Sequence, residues 1–409
     1  MPERLKAYIH AHWQDTIRPA CESRDSLIGL PYPYTTPCAG GMFQELYYWD
    51  TYFTNIGLLR SGMTDQAKYN IDNMLYLVRT YGKMPNGNRT YYLNRSQPPF
   101  LSQMVRDLFA ITGDTAWLAE SAYPALQTEY AFWMTHRADA SGLNRYGCDL
   151  TNDADYEEIA TYFSDRISQP LPVQSQTRIQ WGKSMMALCE SGWDCTSRFA
   201  FRAHEYLPTD LNSLLYQFEE NMAHFASVLE KPDEEATWRD RAAKRRERMN
   251  TLLWNAETGV FDDVHAPTAA HNRFVSAAAF YPLFTGLATQ EQAENAVKAL
   301  PLLEHPHGVA CCEANDKLLD LQWDYPHGWA CLHHIAIHGL LRYGFDIDAT
   351  RLAEKYVATA LRNFEKTGLL WEKYNVVTGE VSTSLEYDTP PMMGWSAAVF
   401  LDCCQILQI

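Results

Sequence analysis

A helical apolar stripe, repeated between loops rich in aromatic residues, glycine and proline, restricts the fold of this chain more than any other feature. Leu211, Leu214, Leu215, Phe218, Met222, Phe225 and Leu229 recur at helical spacing. Ile71, Met74, Leu75 and Val78 repeat the pattern upstream, and Thr289 with Gln292 forms a capping-box start for a helix through Leu300. Loop composition marks residues 29–50, 83–99, 144–158, 170–195, 304–331 and 369–395, and only short pieces such as 259–262 read as extended. No polar linker divides the chain, so residues 1–409 are expected to form one domain. Helices separated alternately by short and long loops suit an all-α toroid of helical hairpins with its long loops at one end. The rival α-solenoid would require a fixed repeat, and the sequence has none.

The residues at 1–20 read as an amphipathic helix, because charges interrupt any apolar core of a leader, and no run of about 18 apolar residues follows. The balance of 34 basic against 50 acidic residues argues against nucleic acid or an anionic membrane as partner. The 10 cysteines include no CxxC pair, which signals neither a zinc site nor a disulfide framework. These readings make a cytoplasmic location with reduced thiols the expectation.

Chemistry concentrates in five stretches. They are AGGMFQELYYWD (39–50), MPNGNRTYYLNRSQPP (84–99), ESGWDCTSRF (190–199), LQWDYPHGW (321–329) and WEKY (371–374). Trp-Asp occurs at 49–50, 193–194 and 323–324. Each pair offers a flat ring for the C–H face of a pyranose and a carboxylate for its hydroxyls. A single Trp-Asp is ordinarily a half-buried Trp beside a helix-capping Asp. Three at loop positions, with Asn86, Arg95 and Glu372, point instead to a sugar site.

These stretches resemble the trehalase family, glycoside hydrolase family 37. Residues 39–53 resemble its first signature, with Met42 where that signature has Arg, residues 321–330 resemble its second, and residues 84–100 match closely between them. The resemblance implies an (α/α)6 toroid and an inverting α-glycosidase acting on trehalose or a related small α-glucoside. It puts the general acid on Asp194 and the general base on Glu372. An inverting pair stands about 6.5–9.5 Å apart, leaving room for a water, with the acid kept protonated by its surroundings. Lys373 is expected to point away from Glu372. The resemblance also implies substrate contacts for Phe43, Trp49, Asp50, Asn86, Arg95, Arg145, Trp193, Gln322, Trp323, Asp324, Glu386 and Trp395, with no cofactor and no metal. The expected partner is a small α-glucoside, and the sequence carries no signal of oligomeric state.

Three departures from the family concern substrate grip. Met42 replaces an arginine, the Leu143-Asn144-Arg145-Tyr146 element runs on without the family's Arg-Pro-Glu-Ser, and Ser382-Thr383-Ser384-Leu385 replaces the glycines of a lid. That lid is expected to be stiffer or more open. A weaker resemblance to family 63 keeps glucosylglycerol or glucosylglycerate as alternative substrates, the anionic one disfavoured by the lost arginines. Two other classes stand beside these. One is a non-catalytic sugar-binding protein, opposed by the presence of both carboxylates. The other is an isomerase using His327 or His333-His334, which read as core or supporting positions. A metal-dependent hydrolase is disfavoured because no His/Asp/Glu spacing suits a metal site.

Overall fold

Stripes at helical spacing, stopped by glycine or proline, produce fifteen α-helices in the computed structural model, which describes residues 2–315 and 320–409. The first half contains α1 (Pro2–His12), α2 (Tyr48–Arg60), α3 (Thr64–Tyr81), α4 (Leu101–Thr112) and the one-turn α5 (Thr115–Trp117). It continues with α6 (Tyr123–His136), α7 (Asp153–Arg166) and α8 (Ser175–Ser191). The second half contains α9 (Thr209–Val228), α10 (Pro232–Leu252), the short α11 (Tyr281–Phe284) and α12 (Gln290–Ala299). It ends with α13 (Ala330–Arg342), α14 (Asp346–Thr367) and α15 (Gly394–Ile406).

Packing closes six of these into a ring. α2 lies on α4, α4 on α9, α9 on α11, α11 on α13, α13 on α15, and α15 returns to α2. α3, α10, α14 and α1 back the ring from outside. This is the (α/α)6 toroid. Buried aromatics hold the joints: Tyr52 stacks on Phe100 at 4.4 Å, where α4 begins, and Phe53 meets Trp395 of α15 at 6.5 Å. Burying each such side chain stabilises the toroid by roughly 1.5–3 kcal/mol.

Expected elements at 64–81, 209–228 and 290–299 form where the apolar stripes and caps placed them. Thr289 Oγ1 accepts from the Gln292 N–H at 3.2 Å, while the Gln292 side chain accepts from Thr289 N at 2.9 Å. The loop readings are corrected at the end of 144–158, where α7 begins at Asp153, and through most of 170–195, which α8 occupies. The cause lies in Gly182, which is a packing residue and not a breaker. A Cβ there would come within 2.1 Å of the Tyr156 carbonyl oxygen, so glycine lets the two helices pack closely. One small strand pair matters for the site: His327–Trp329 runs antiparallel to Lys373–Asn375, with Trp329 opposite Lys373.

Candidate active site

Helices α2, α13 and α15 all start at one end of the ring, and the loops before them enclose a cavity of about 550 Å³. Tryptophans form its floor. Trp323 stacks on Trp329 at 3.9 Å, Trp49 tilts against Trp323 at 5.5 Å, and Trp395 stands edge-on to Trp49 at 5.8 Å. Gly192 permits this closeness: its φ is +74°, and a Cβ there would lie 2.6 Å from the Trp49 ring. Cys195 beside Asp194 and Phe43 at the rim are also left-handed, at φ 54° and 55°. Such backbone costs a non-glycine residue about 1–2 kcal/mol, and its occurrence on both sides of a cavity marks a constrained site.

Ten of the fourteen expected site residues line this cavity: Phe43, Trp49, Asp50, Asn86, Arg95, Asp194, Gln322, Trp323, Glu372 and Trp395. Arg95 is aimed by its neighbours. Its Nε donates to Asn86 at 3.0 Å and its Nη1 to Asn94 at 2.9 Å, which leaves Nη2 for a ligand. Gln322 Oε1 is buried without a hydrogen-bond partner among the described residues.

The other four are placed elsewhere. Trp193 is fully buried, with the Arg198 guanidinium 4.7 Å over its ring. Asp324 is also fully buried: its Oδ1 accepts from Thr196 Oγ1 and from Ser197 N, both at 2.9 Å. It thereby fixes the loop that carries Asp194, and it does not line the cavity. Arg145 pairs with Asp139 at 3.2 Å in a separate surface cleft. Glu386 stands behind the wall, its Oε1 accepting from Gln322 N at 3.2 Å, and its Oε2 is buried without a partner among the described residues.

Two side chains at the cavity carry information the sequence reading lacked. Lys373 turns inward, contrary to expectation. Its Nζ donates to Glu372 Oε2 at 2.8 Å and lies 5.0 Å over Trp329. Glu372 occupies a bend between the Trp371–Pro391 bridge and the strand that begins at Lys373, so strand alternation does not separate the two side chains. Arg166, the last residue of α7, lines the cavity and makes no hydrogen bond or ion pair among the described residues, only ring contacts to Phe163 and Tyr387. Met42 is 43% exposed and outside the cavity. No sequence motif announces Arg166, because its position depends on how the α7–α8 pair docks.

The electrostatics separate the two candidate catalytic carboxyls. Burial raises both pKa values. On Glu372 the Lys373 ammonium and the Tyr387 hydroxyl, which donates to Oε1 at 2.9 Å, counter that rise and favour the carboxylate. No hydrogen bond reaches the Asp194 carboxyl among the described residues; only the charges of Arg166 and Arg95 oppose its burial. Asp50 is pushed up to about 8, chiefly by burial and further by Glu372 and Asp194. Three carboxyls therefore share one cavity and titrate as a coupled set. Of the two candidate catalytic carboxyls, Glu372 has donors that favour its ionised form, and Asp194 has none among the described residues.

A family model described as "Trehalase" matches residues 3–408. Over 427 residues the chain is 36% identical to the periplasmic trehalase of Xanthomonas axonopodis pv. citri, covering 97% of this chain and 72% of the relative. The periplasmic trehalase of Pseudomonas aeruginosa is 34% identical over 409 residues, covering 94% and 73%. Among solved structures, neutral trehalase Nth1 of Saccharomyces cerevisiae superposes with a TM-score of 0.78 at 29% identity, over 98% of this chain and 80% of that one. A family 63 mannosylglycerate hydrolase of Thermus thermophilus gives 0.65 at 17% identity, over 97% and 99%, which is likeness of fold alone. The names of the curated relatives overturn the cytoplasmic expectation. Net charge and a buried apolar core serve a sugar hydrolase equally on either side of a bacterial inner membrane, so composition does not discriminate between the compartments.

Proposed function

The chain belongs to the trehalase family, and we propose on that premise that residues 1–409 form one periplasmic (α/α)6 domain whose cavity hydrolyses trehalose with inversion. The observation that carries the mechanism is the asymmetry of the two carboxyls. Glu372, gripped by Lys373 and Tyr387, is the ionised base, while Asp194, without a hydrogen-bond donor among the described residues, is the protonated acid. Asp194 gives its proton to the glycosidic oxygen as the bond to the anomeric carbon breaks. Glu372 takes a proton from a water attacking that carbon on the opposite face. One glucose leaves as the β-anomer and the other remains α.

The reacting sugar rests on Trp49, Trp323 and Trp395, with Phe43 at the rim. Asp50, Asn86, Arg95 and Gln322 hold its hydroxyls. Arg166 supplies a guanidinium beside Asp194. It compensates for the arginine absent at position 42 and for the one missing after Tyr146, and it steadies the charge that develops on the leaving side. Glu386 Oε2 is available to a hydroxyl once the lid residues press on the sugar. Trp193 and Asp324 position the Asp194 loop. The free guanidinium of Arg166 also favours one second reading, an anionic aglycone such as glucosylglycerate, which the sequence alone disfavours.

The test follows the anomeric protons by NMR as purified enzyme meets trehalose, with Asp194→Asn as control and glucosylglycerate run in parallel. Early release of equal α- and β-glucose, lost in the variant, is expected. Initial release of α-glucose alone, or full activity in Asp194→Asn, would overturn the mechanism. Faster cleavage of glucosylglycerate than of trehalose would transfer the assignment to the second reading.

A further inference from the structure

A second and larger cavity, about 670 Å³, lies at the opposite end of the ring. The helices that start at the catalytic cavity lead to it. α2 begins at Tyr48 beside the catalytic cavity and brings Tyr52, Ile56 and Arg60 to the second one, while α13 brings His334 and His338. With a rise of 1.5 Å per residue, His338 stands about 13 Å along the chain axis from Trp329, and Asp402 about 10 Å from Trp395. The two cavities are therefore separate sites on shared helices.

His334 and His338 are four residues apart on α13 and present their rings on one face, 4.2 Å from each other. Both point at one atom. His334 Nδ1 is 2.8 Å from Asp402 Oδ2, and His338 Nε2 is 2.6 Å from the same oxygen. The three ligand atoms lie within 4.8 Å of one another. Arg60 of α2 ion-pairs with the other carboxylate oxygen, Oδ1, and so orients the group. Asp402 is fully buried, Arg60 balances its charge through Oδ1, and both ring nitrogens converge on Oδ2. Asp107 of α4 lines the same cavity.

We propose that His334, His338 and Asp402 form a site for a divalent d-block cation of the zinc class, clipping α13 to α15 at the end of the ring opposite the catalytic cavity. Two imidazole nitrogens and one carboxylate oxygen are the donor set such ions prefer over magnesium or calcium. Three protein ligands leave coordination positions open towards the cavity for water. Binding requires each ring to present an unprotonated nitrogen to the ion: a neutral ring moves its proton to its other nitrogen, and a protonated ring releases one to solvent. Sequence spacing did not show this site because Asp402 is 64 residues beyond His338 and joins it only when the ring closes. The site is structural: it ties two inner helices together and contributes no group to hydrolysis.

The experiment uses the full chain after treatment with a chelator, titrated with Co²⁺ and Zn²⁺ alone. One equivalent of Co²⁺ is expected to give visible d–d bands of a four- or five-coordinate site, and Zn²⁺ to displace it and raise the melting temperature by several degrees. His338→Gln, at a half-buried position, is expected to weaken binding at least about 10-fold. Asp402→Asn, which keeps the shape of the side chain, is expected to do the same. Trehalose hydrolysis by the metal-free protein is expected to persist, which separates this site from the catalytic one. Absence of both the Co²⁺ bands and the melting shift in the parent protein would overturn the proposal. Unchanged affinity in His338→Gln would overturn it equally.

Discussion

Replacing Lys373 with methionine tests the division of labour between the two carboxyls. Methionine keeps the apolar stem that packs between Trp329 and Tyr387 but removes the ammonium 2.8 Å from Glu372 Oε2. A buried hydrogen bond to a charged group contributes about 1.5–3 kcal/mol, and one pKa unit corresponds to about 1.4 kcal/mol. The Glu372 pKa is therefore expected to rise further, with Tyr387 left as its remaining donor. Because the proposed mechanism needs Glu372 ionised, the acidic limb of kcat/KM against pH should move upward by about 1–2 pH units, the equivalent of that hydrogen bond. Activity well below the limb should fall about 10- to 100-fold, and part of the loss should return at higher pH. Stability carries a second signature. A carboxyl whose folded pKa is raised above its unfolded value binds more protons when folded, so the variant should lose stability as pH rises through that folded pKa. Melting curves at several pH values report this. An acidic limb that stays in place while kcat falls would refute the reasoning and make Lys373 a direct substrate contact.

Two further predictions concern the cavity walls. Arg166→Ala should lower kcat/KM for trehalose about 10- to 100-fold, the worth of one charge-assisted hydrogen bond, while Arg145→Ala stays within about 3-fold; Michaelis kinetics of both variants decide, and equal losses would return Arg145 to the site. Asp50, pushed up to about 8, is protonated in the folded protein at neutral pH and ionised when unfolded, so its contribution to stability falls between about pH 4 and pH 8. Asp50→Asn should therefore raise the melting temperature more at pH 8 than at pH 5, and inactivate the enzyme; an equal shift at both pH values would show that Asp50 is not titrating as described.

The signatures made most of the cavity legible because a sugar site needs local chemistry. Trp49 and Asp50 reach the cavity from the first turn of α2, while Asn86 near Arg95 and Gln322 beside Trp323 each reach it from one short loop. Reading failed where a side chain serves the loop itself. Trp-Asp at 193–194 and 323–324 looks alike in sequence, yet only Asp194 and Trp323 face the cavity. Trp193 is committed to Arg198, and Asp324 to Thr196 and Ser197, partners more than a hundred residues away in the latter case. The segment that replaces the lid glycines is tied back by two hydrogen bonds: the Ser382 hydroxyl bonds the His327 ring, and Thr389 donates to the Ser382 carbonyl.

What the amino-acid sequence determined by itself is the helical framework and the chemical inventory. Apolar stripes at a 3.6-residue period dictate helices, a capping box starts one of them, acids beside flat rings point to a sugar site, and the resemblance to the trehalase family implies a glycosidase. Closure of the ring decided the rest. It placed Arg166 beside Asp194 through the docking of α7 on α8 at Gly182, turned Lys373 onto Glu372 at a bend, and brought Asp402 to His334 and His338. Each of these is a contact between segments whose relative position no local propensity encodes. The electrostatics behind the proposed acid and base arise from burial and neighbouring charge, and both come into being only when the helices close around the cavity.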